Sequence, residues 1–434
     1  MTSMPRIVVT PDDAMIDLPR VIRAEGFAPR SAVEITATLV QNDGTTWRSR
    51  ATFLADADGC VDVATSAPLN GAYAGVSPMG LVWSMRQVAA GGPVRSMVAP
   101  HVVELLAVGV DNRTARGAFT QHFLAPGVTR KEIHEGGMVG TLFTPPGPGP
   151  HPALMMLAGS GGGLMETRAA LFAAHGFQSF ALGYFNVPGL KPTISKTPLE
   201  YFEAGLQWMR TTLAPARDFV AVCGVSRGGE LSLLLGATFP DLVSAVIAYV
   251  PSPFTHGVLN AGHPGEDRHA PSWTYRGAPL PVLSRDNRTA NWDLFDKAPA
   301  PRAQTPAFLS ALGDSAAIAR AMIPLERIRG PVMMISGADD GLWPSDHFSE
   351  IAEEWLRTAQ HRWPVRHLRN PDTGHSMQFP YVPSTVIARR HAVSGIMMRY
   401  GGTEAGNARA NETHWPEVLT FLAAAAGGQP SRPG

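Results

Sequence analysis

From Ile7 to about Leu106 the apolar residues recur at every second position. Val33, Ile35, Ala37 and Leu39 alternate with Glu34, Thr36 and Thr38, and the runs around Trp47 to Leu54 and Cys60 to Val63 repeat the habit. Period two sends successive side chains to opposite faces of a strand. Turn formers such as Asn42-Asp43-Gly44 and Asp56-Ala57-Asp58-Gly59 separate the runs, so the pattern predicts short strands of a small antiparallel sandwich. No titratable groups converge here, and a structural or pocket-covering role is expected. The segment Gly71 to Met85 is rich in Gly, aromatic and Met residues without a clear period. It reads either as an ordered loop lying against a second domain or as a buried corner of the sandwich.

After roughly residue 130 the pattern changes. Met138 to Phe143, Ala153 to Leu157, Ser179 to Leu182, Ala245 to Val250, Pro331 to Ile335 and Val365 to Leu368 are apolar runs of strand length. Between them lie helical stretches at Glu166 to His175, Leu199 to Arg210 and Gly228 to about Ala237. Leu199, Phe202, Leu206 and Met209 share one face of the second. Strands alternating with helices predict a mostly parallel sheet with helices on both faces, whose chemistry belongs in the loops after the strand carboxyl ends. The stretch from about 251 to 320 breaks the alternation. Its Pro, Gly, Trp and His residues read as a lid or pocket wall. The expected division is residues 1–130 and 131–434.

A chain of 434 residues fits two domains better than one core. Its 36 basic and 36 acidic residues balance, which gives no electrostatic case for nucleic acid or an anionic membrane and favours a small-molecule substrate. Cys60 and Cys223 lie far apart without metal-ligand spacing, so no disulfide framework, metal or cofactor is expected. The start, Met1 to Arg6, does not read as a leader, and no apolar run reaches the roughly 18 to 20 residues of a membrane helix. The tail, Pro430 to Gly434, carries no peroxisomal tripeptide. A cytoplasmic protein is expected.

The chemistry centres on Val220-Ala221-Val222-Cys223-Gly224-Val225-Ser226-Arg227-Gly228-Gly229-Glu230, an apolar run, a Gly-flanked serine and the start of a helix. A strand feeding directly into a helix forces a sharp turn that exposes the serine hydroxyl, the layout of a nucleophile elbow. Partners for Ser226 follow in the order acid, then base. The strand ending at Ile335 leads into Gly337-Ala338-Asp339-Asp340, and Asp340 is the expected acid, with Asp339 the alternative because loop conformation decides which carboxylate turns inward. Past the strand at 365–368 comes Gly374-His375, the expected base. His256, His263, His269, His361 and His367 lack such placement and read as pocket or surface residues. Oxyanion donors are expected from the backbone of Arg227 and from Ser160 and Gly161 in Gly159-Ser160-Gly161-Gly162-Gly163. That glycine run is not a phosphate loop of the G-x-x-x-x-G-K-[ST] type.

Taken together, Tyr73 to Ser84, Gly159 to Gly163, Pro198 to Phe202, Gly224 to Glu230, Ser272 to Gly277, Gly337 to Ser345 and Gly374-His375 resemble the acyl-CoA thioester hydrolase and bile acid-CoA:amino acid N-acyltransferase family over nearly the whole chain. The resemblance implies an immunoglobulin-like sandwich fused to a dienelactone-hydrolase-like α/β-hydrolase domain. It implies action on acyl-CoA thioesters, with Ser226, Asp340 and His375 as the triad; a carrier-protein thioester, which shares the phosphopantetheine arm of CoA, is an open alternative donor. Amino acid conjugating members resemble a cysteine type, and an acyl-cysteine is attacked by amines more readily than an acyl-serine, so Ser226 favours hydrolysis. Transfer to an amine or alcohol, hydrolysis of esters or lactones, and a non-catalytic binding role are the alternatives. Trp273, Tyr275 and Trp343 are candidate walls of the acyl pocket, as are Phe379 and Tyr381, and Arg268, Arg276 and Arg285 are candidates for the nucleotide end of CoA. Acyl chain length and oligomeric state stay open.

Overall fold

The alternation between 32 and 54 becomes two nine-residue strands, Ala32–Val40 and Thr46–Leu54, in a computed structural model of the chain that describes residues 4–93 and 96–427. Their antiparallel register sets Val33 opposite Phe53, Ile35 opposite Ala51 and Leu39 opposite Trp47, apolar on apolar on the buried face, while Ala37 stands opposite Ser49. The turn between them uses Gly44 at φ +78°, and Asp43 accepts from the Thr45 N–H at 2.8 Å.

Among the described residues the chain divides into two units. One holds the residues up to Ala125 with Gln378–Val386 and Asn407–Glu412; the other holds Pro126–Met377, Ile387–Gly406 and the residues from Thr413 on. The first unit carries a seven-stranded sheet and a three-stranded sheet. One apolar cluster includes Ile22, Ile35, Phe53, Val61, Leu105 and Phe119 from both sheets. The large sheet is antiparallel except at its edge, where Asp13–Met15 runs parallel to Thr114–His122. Tyr73, Met79, Leu81, Val82, Trp83 and Met85 belong to the same cluster, so the segment without a period is a buried corner of this unit.

In the second unit the alternating pattern yields an eight-stranded sheet among the described residues. Its strands are β1 (Thr129–Glu135), β2 (Met138–Thr144), β3 (Ala153–Leu157), β4 (Gln178–Gly183), β5 (Val220–Val225), β6 (Ala245–Tyr249), β7 (Val332–Gly337) and β8 (Val365–Asn370). The spatial order is β1-β2-β4-β3-β5-β6-β7-β8. Pairs β1–β2 and β2–β4 are antiparallel, and every later pair is parallel. This is an α/β-hydrolase sheet. The central strands β3, β5, β6 and β7 are buried on both faces, which is why they read as continuous apolar runs.

Helices α1 (Glu166–Ala174), α2 (Leu199–Trp208) and α3 (Arg227–Thr238) lie where the periodicity places them. Leu199, Phe202 and Leu206 are the buried face of α2, and Met209 continues it into one π-helical turn. Strand β1 escapes the pattern because, as an edge strand, it buries only Ile133 among Thr, Arg, Lys, Glu and His. Helix α4 (Ser345–Thr358) follows β7 and buries Phe348, Ala352 and Leu356 at intervals of four. The stretch from 251 to 320 is ordered, with helices at Thr305–Ala311 and Ser315–Ala321. Phe254, Leu283 and Phe308 form an apolar cluster with Trp343 and Phe348.

Residues 1–3 and the tail Pro430 to Gly434, read above for targeting signals, lie outside the described residues. Among the described residues no helix is long and apolar enough to cross a membrane.

Helix α3 is buried nearly all round, and its Leu231 is 0% exposed within the main apolar cluster. Leu231→Ala is expected to cost about 2–5 kcal/mol from lost burial and the cavity left behind. Leu309→Ala, at a position 45% exposed, should stay within about 0.5 kcal/mol of the parent. Urea unfolding of the two variants side by side checks the contrast.

Candidate active site

Ser226 is the single residue between β5 and α3, with φ 59° and ψ −117°. A non-glycine residue in this region is strained by about 1–3 kcal/mol and persists only when its surroundings hold it. Here the Ser226 N–H donates to Tyr249 O at 2.8 Å and the Ser226 carbonyl accepts from the Glu230 N–H at 2.9 Å. The flanking glycines are there for space. A Cβ on Gly224 would overlap the Gly228 carbonyl, and one on Gly228 would stand 2.5 Å from Ala158 O and 2.6 Å from Leu157 O. The helix can therefore start directly against β3, leaving Ser226 half-buried while Cys223 is sealed inside β5. Burial pushes the Cys223 thiol up to about 12, the behaviour of a small inert core residue.

Asp340 lies in the loop after β7 and His375 in the loop after β8, at the same carboxyl end of the parallel strands as Ser226. The His375 imidazole places Nδ1 2.8 Å from Asp340 Oδ2 and 3.0 Å from Oδ1. Backbone N–H groups of Leu342 and Trp343 donate to Asp340 Oδ1 at 2.9 and 3.3 Å, fixing the carboxylate. Asp339 turns the other way, to Arg399 at 3.1 Å and to the Gly402 N–H at 2.9 Å. With Asp340 accepting at Nδ1, the imidazole is held in the tautomer whose Nε2 lone pair is available. Nε2 is buried and has no hydrogen-bond partner among the described residues. The ring is flanked by Trp343 at 5.8 Å and Tyr400 at 6.0 Å between centroids.

The glycine-rich segment closes a tight turn, its Gly162 N–H donating to Gly159 O at 3.0 Å with Ser160 and Gly161 central. It lies against Ser226, since a Cβ on Gly159 would meet Ser226 Cβ at 3.3 Å. Asn186 Nδ2 donates to Gly161 O at 2.8 Å and steadies the turn. The Arg227 backbone N–H is at the start of α3, where N–H groups have no partner within the helix. The Arg227 side chain runs into the interior, donating to Glu230 Oε2 and to Gly257 O, each at 2.7 Å.

Glu230 is fully buried, which pushes its carboxyl above the ordinary range, while Arg227, the Trp273 indole and the His256 N–H pull it back. Trp273 is 1% exposed and donates to Glu230 Oε1 at 2.8 Å. Its place is therefore among the core rings of Tyr184 and Phe202, where no face is left for a substrate. Tyr275 is half-buried against Phe239, beneath the Arg276 guanidinium. Trp343 donates its N–H to Val250 O and has its ring against both Arg227 and His375. Phe379 packs on Phe123 within the first unit, where Tyr381 also lies. Arg268 is paired with Asp296 at 2.8 Å and lies over Trp292. His256 is buried among Phe308, Trp343 and Phe348, and burial keeps it neutral.

A cavity of about 610 Å³ reaches Asn186, the residue that donates to Gly161 O. Its wall includes Asn186, Leu259, His263, Trp292, Ala392 and Val393. Leu259, His263 and Trp292 come from the stretch read as a lid or pocket wall, whereas Ala392 and Val393 carried no sequence signal, because the hairpin Ala388–Arg390/Met397–Arg399 has no periodicity to place them. Among the described residues no group of three His, Cys, Asp or Glu could hold a metal ion.

Comparison with known proteins agrees with this architecture. Residues 17–135 match the model of the acyl-CoA thioester hydrolase/BAAT N-terminal region, and residues 197–428 match that of the BAAT/acyl-CoA thioester hydrolase C terminal. Similar curated proteins include acyl-coenzyme A thioesterase 6 of Mus musculus, 33% identical over 94% of this chain and 93% of that protein. The peroxisomal succinyl-coenzyme A thioesterase of Mus musculus is 30% identical over 96% of this chain and 95% of its own. The mitochondrial acyl-coenzyme A thioesterase 2 of Rattus norvegicus is 30% identical over 94% and 86%. With its sandwich and its catalytic region each matched, the chain belongs to the acyl-CoA thioester hydrolase/BAAT family.

Proposed function

We propose that this protein hydrolyses acyl-CoA thioesters through an acyl-serine intermediate at Ser226. The observation that carries the reading is the Asp340–His375 pair, which leaves a buried, unpartnered Nε2 in a loop at the same carboxyl end of the sheet as a serine held on a strained strand-to-helix turn. In the first half-reaction His375 Nε2 takes the Ser226 proton as Oγ attacks the thioester carbonyl. Asp340 stabilises the imidazolium, and CoA leaves as the thiol with the proton from Nε2. In the second half-reaction His375 takes a proton from water, hydroxide attacks the acyl-serine, and the free acid leaves as Ser226 recovers its proton. The carbonyl oxygen, negatively charged in both tetrahedral intermediates, faces the backbone N–H groups of Arg227 and the glycine turn.

The acyl or pantetheine portion of the substrate is assigned to this cavity, since Asn186 in its wall donates to Gly161 O and Ala392 in its wall is what a Cβ on Gly161 would meet, at 3.4 Å. Of the aromatic residues proposed for the pocket, Trp343 keeps a place near the reaction through its contact with His375. A CoA donor is favoured over a carrier protein because the similar proteins are coenzyme A thioesterases. The two free cysteines fit a reducing compartment such as the cytoplasm.

Ser226→Ala and Asp340→Asn are each expected to lower kcat/KM on acyl-CoA by about 10³-fold or more, as loss of one member of a triad does; retention within a few-fold of wild type in the Ser226 variant would falsify the acyl-serine route. Mass analysis of products from a panel of acyl-CoAs should give free acid whether or not glycine or taurine is added, and an amide product would move the protein to the acyltransferase branch. Val393→Trp, which fills the cavity, should raise KM by about tenfold with kcat little changed, the mark of lost ground-state binding. An unaltered KM would place the substrate elsewhere.

A further inference from the structure

Beyond the triad, one side chain of the glycine turn is held in an unusual way. Ser160 Oγ lies 3.0 Å from Nε2 of His391, which is buried in the loop between the strands Ala388–Arg390 and Met397–Arg399. The other ring nitrogen of His391, Nδ1, faces two backbone donors, the N–H groups of Val393 and Ser394, each at 3.3 Å. A nitrogen that accepts from two N–H groups cannot itself carry a proton. The proton of the neutral ring is therefore on Nε2, and the Nε2–H donates to Ser160 Oγ. Burial first, then the nearby charges of Arg389 and Arg227, pull the His391 pKa down to about 4, so the ring is neutral at physiological pH.

This direction has a consequence for the serine. An Oγ that accepts from His391 must direct its own proton elsewhere, and among the described residues no acceptor takes it. The hydroxyl belongs to a turn that touches Ser226 on one side, through Gly159, and Ala392 on the other, through Gly161. The neighbouring backbone N–H groups of Ser160 and Gly161 are those assigned to the oxyanion.

We infer that the Ser160 hydroxyl is a side-chain donor to the thioester carbonyl oxygen as it becomes an oxyanion, and that His391 is a positioning residue that holds the hydroxyl with its proton directed there. The inference rests on the acyl-serine reading above. It adds to the backbone donors a group that a glycine or alanine at position 160 lacks. It also gives the hairpin from 388 to 399 a part in the reaction, although His391 does not touch substrate.

A donor that acts on developing charge lowers kcat when lost, by about 10²-fold for one oxyanion donor, and leaves KM nearly unchanged. Ser160→Ala is expected to show that split with an acyl-CoA substrate, and Ser160→Thr, which restores a hydroxyl, should recover at least tenfold of the loss. His391→Leu should lower kcat similarly, and the Ser160→Ala/His391→Leu double variant should be no slower than Ser160→Ala alone, because the two residues act as one unit. His391→Gln, which keeps an N–H near the Nε2 position, should be less impaired than His391→Leu.

A Ser160→Ala enzyme with wild-type kcat, or one whose defect is confined to KM, overturns the inference. So does full additivity of the two losses. Ser226→Ala in the same assay separates the two levels. If it is inactive while Ser160→Ala is unimpaired, only the role of the hydroxyl falls; if it keeps turnover, the acyl-serine reading and the inference fall together.

Discussion

A strand that enters a helix through a single residue leaves that residue nowhere to relax, and the rest of the second unit is arranged to hold Ser226 at φ 59°. Two backbone hydrogen bonds secure it, one from its N–H to Tyr249 on β6 and one to its carbonyl from Glu230 on α3. Neither suffices unless α3 starts close to β3 and β5, and that approach requires Gly224 and Gly228 to lack side chains. Sheet order does the remainder. With β3 and β6 on either side of β5, the loop after β3 supplies the glycine turn, and β6 supplies the carbonyl that holds the serine.

Behind Ser226 is a buried cluster built around Glu230. Glu230 is taken wholly out of water, and its charge is met by Arg227, the Trp273 indole and the His256 N–H. Removing one partner of such a cluster leaves a buried charge uncompensated, so each member constrains the others. Arg227 is thereby pinned with its side chain inward and its backbone N–H left at the helix start. Trp343 continues the arrangement, with the Arg227 guanidinium 5.9 Å and the His375 ring 5.8 Å from its ring centroid. The helix that follows Ser226 and the loop that carries His375 thus meet at one indole ring.

The strand-to-helix turn at Ser226 and the strand-end loops that hold Asp340 and His375 were legible because local rules dictate them. A Gly-flanked serine between an apolar run and a helix has one common structural meaning, and strands β3, β5, β6 and β7 show as apolar runs since both of their faces are covered. The choice of Asp340 over Asp339 needed coordinates, because adjacent residues point to opposite sides and only the fold says which side holds the histidine. Strand β1 stayed hidden since an edge strand with one buried residue has no hydrophobic period. Trp273 was read as a pocket wall from its residue type, and the fold uses it to satisfy a buried carboxylate.

The sequence by itself therefore determined strands β2 to β8, helices α1 to α3 and the Gly-flanked turn at Ser226, all of which follow from periodicity and from glycine at fixed offsets. What only the tertiary structure decided are the contacts between residues far apart in the chain. Asp340 with His375, Glu230 with Trp273, and Ser160 with His391 are separated by 35, 43 and 231 positions. Periodicity reports which face of an element is buried, and it carries no information about which distant polar group that face will meet.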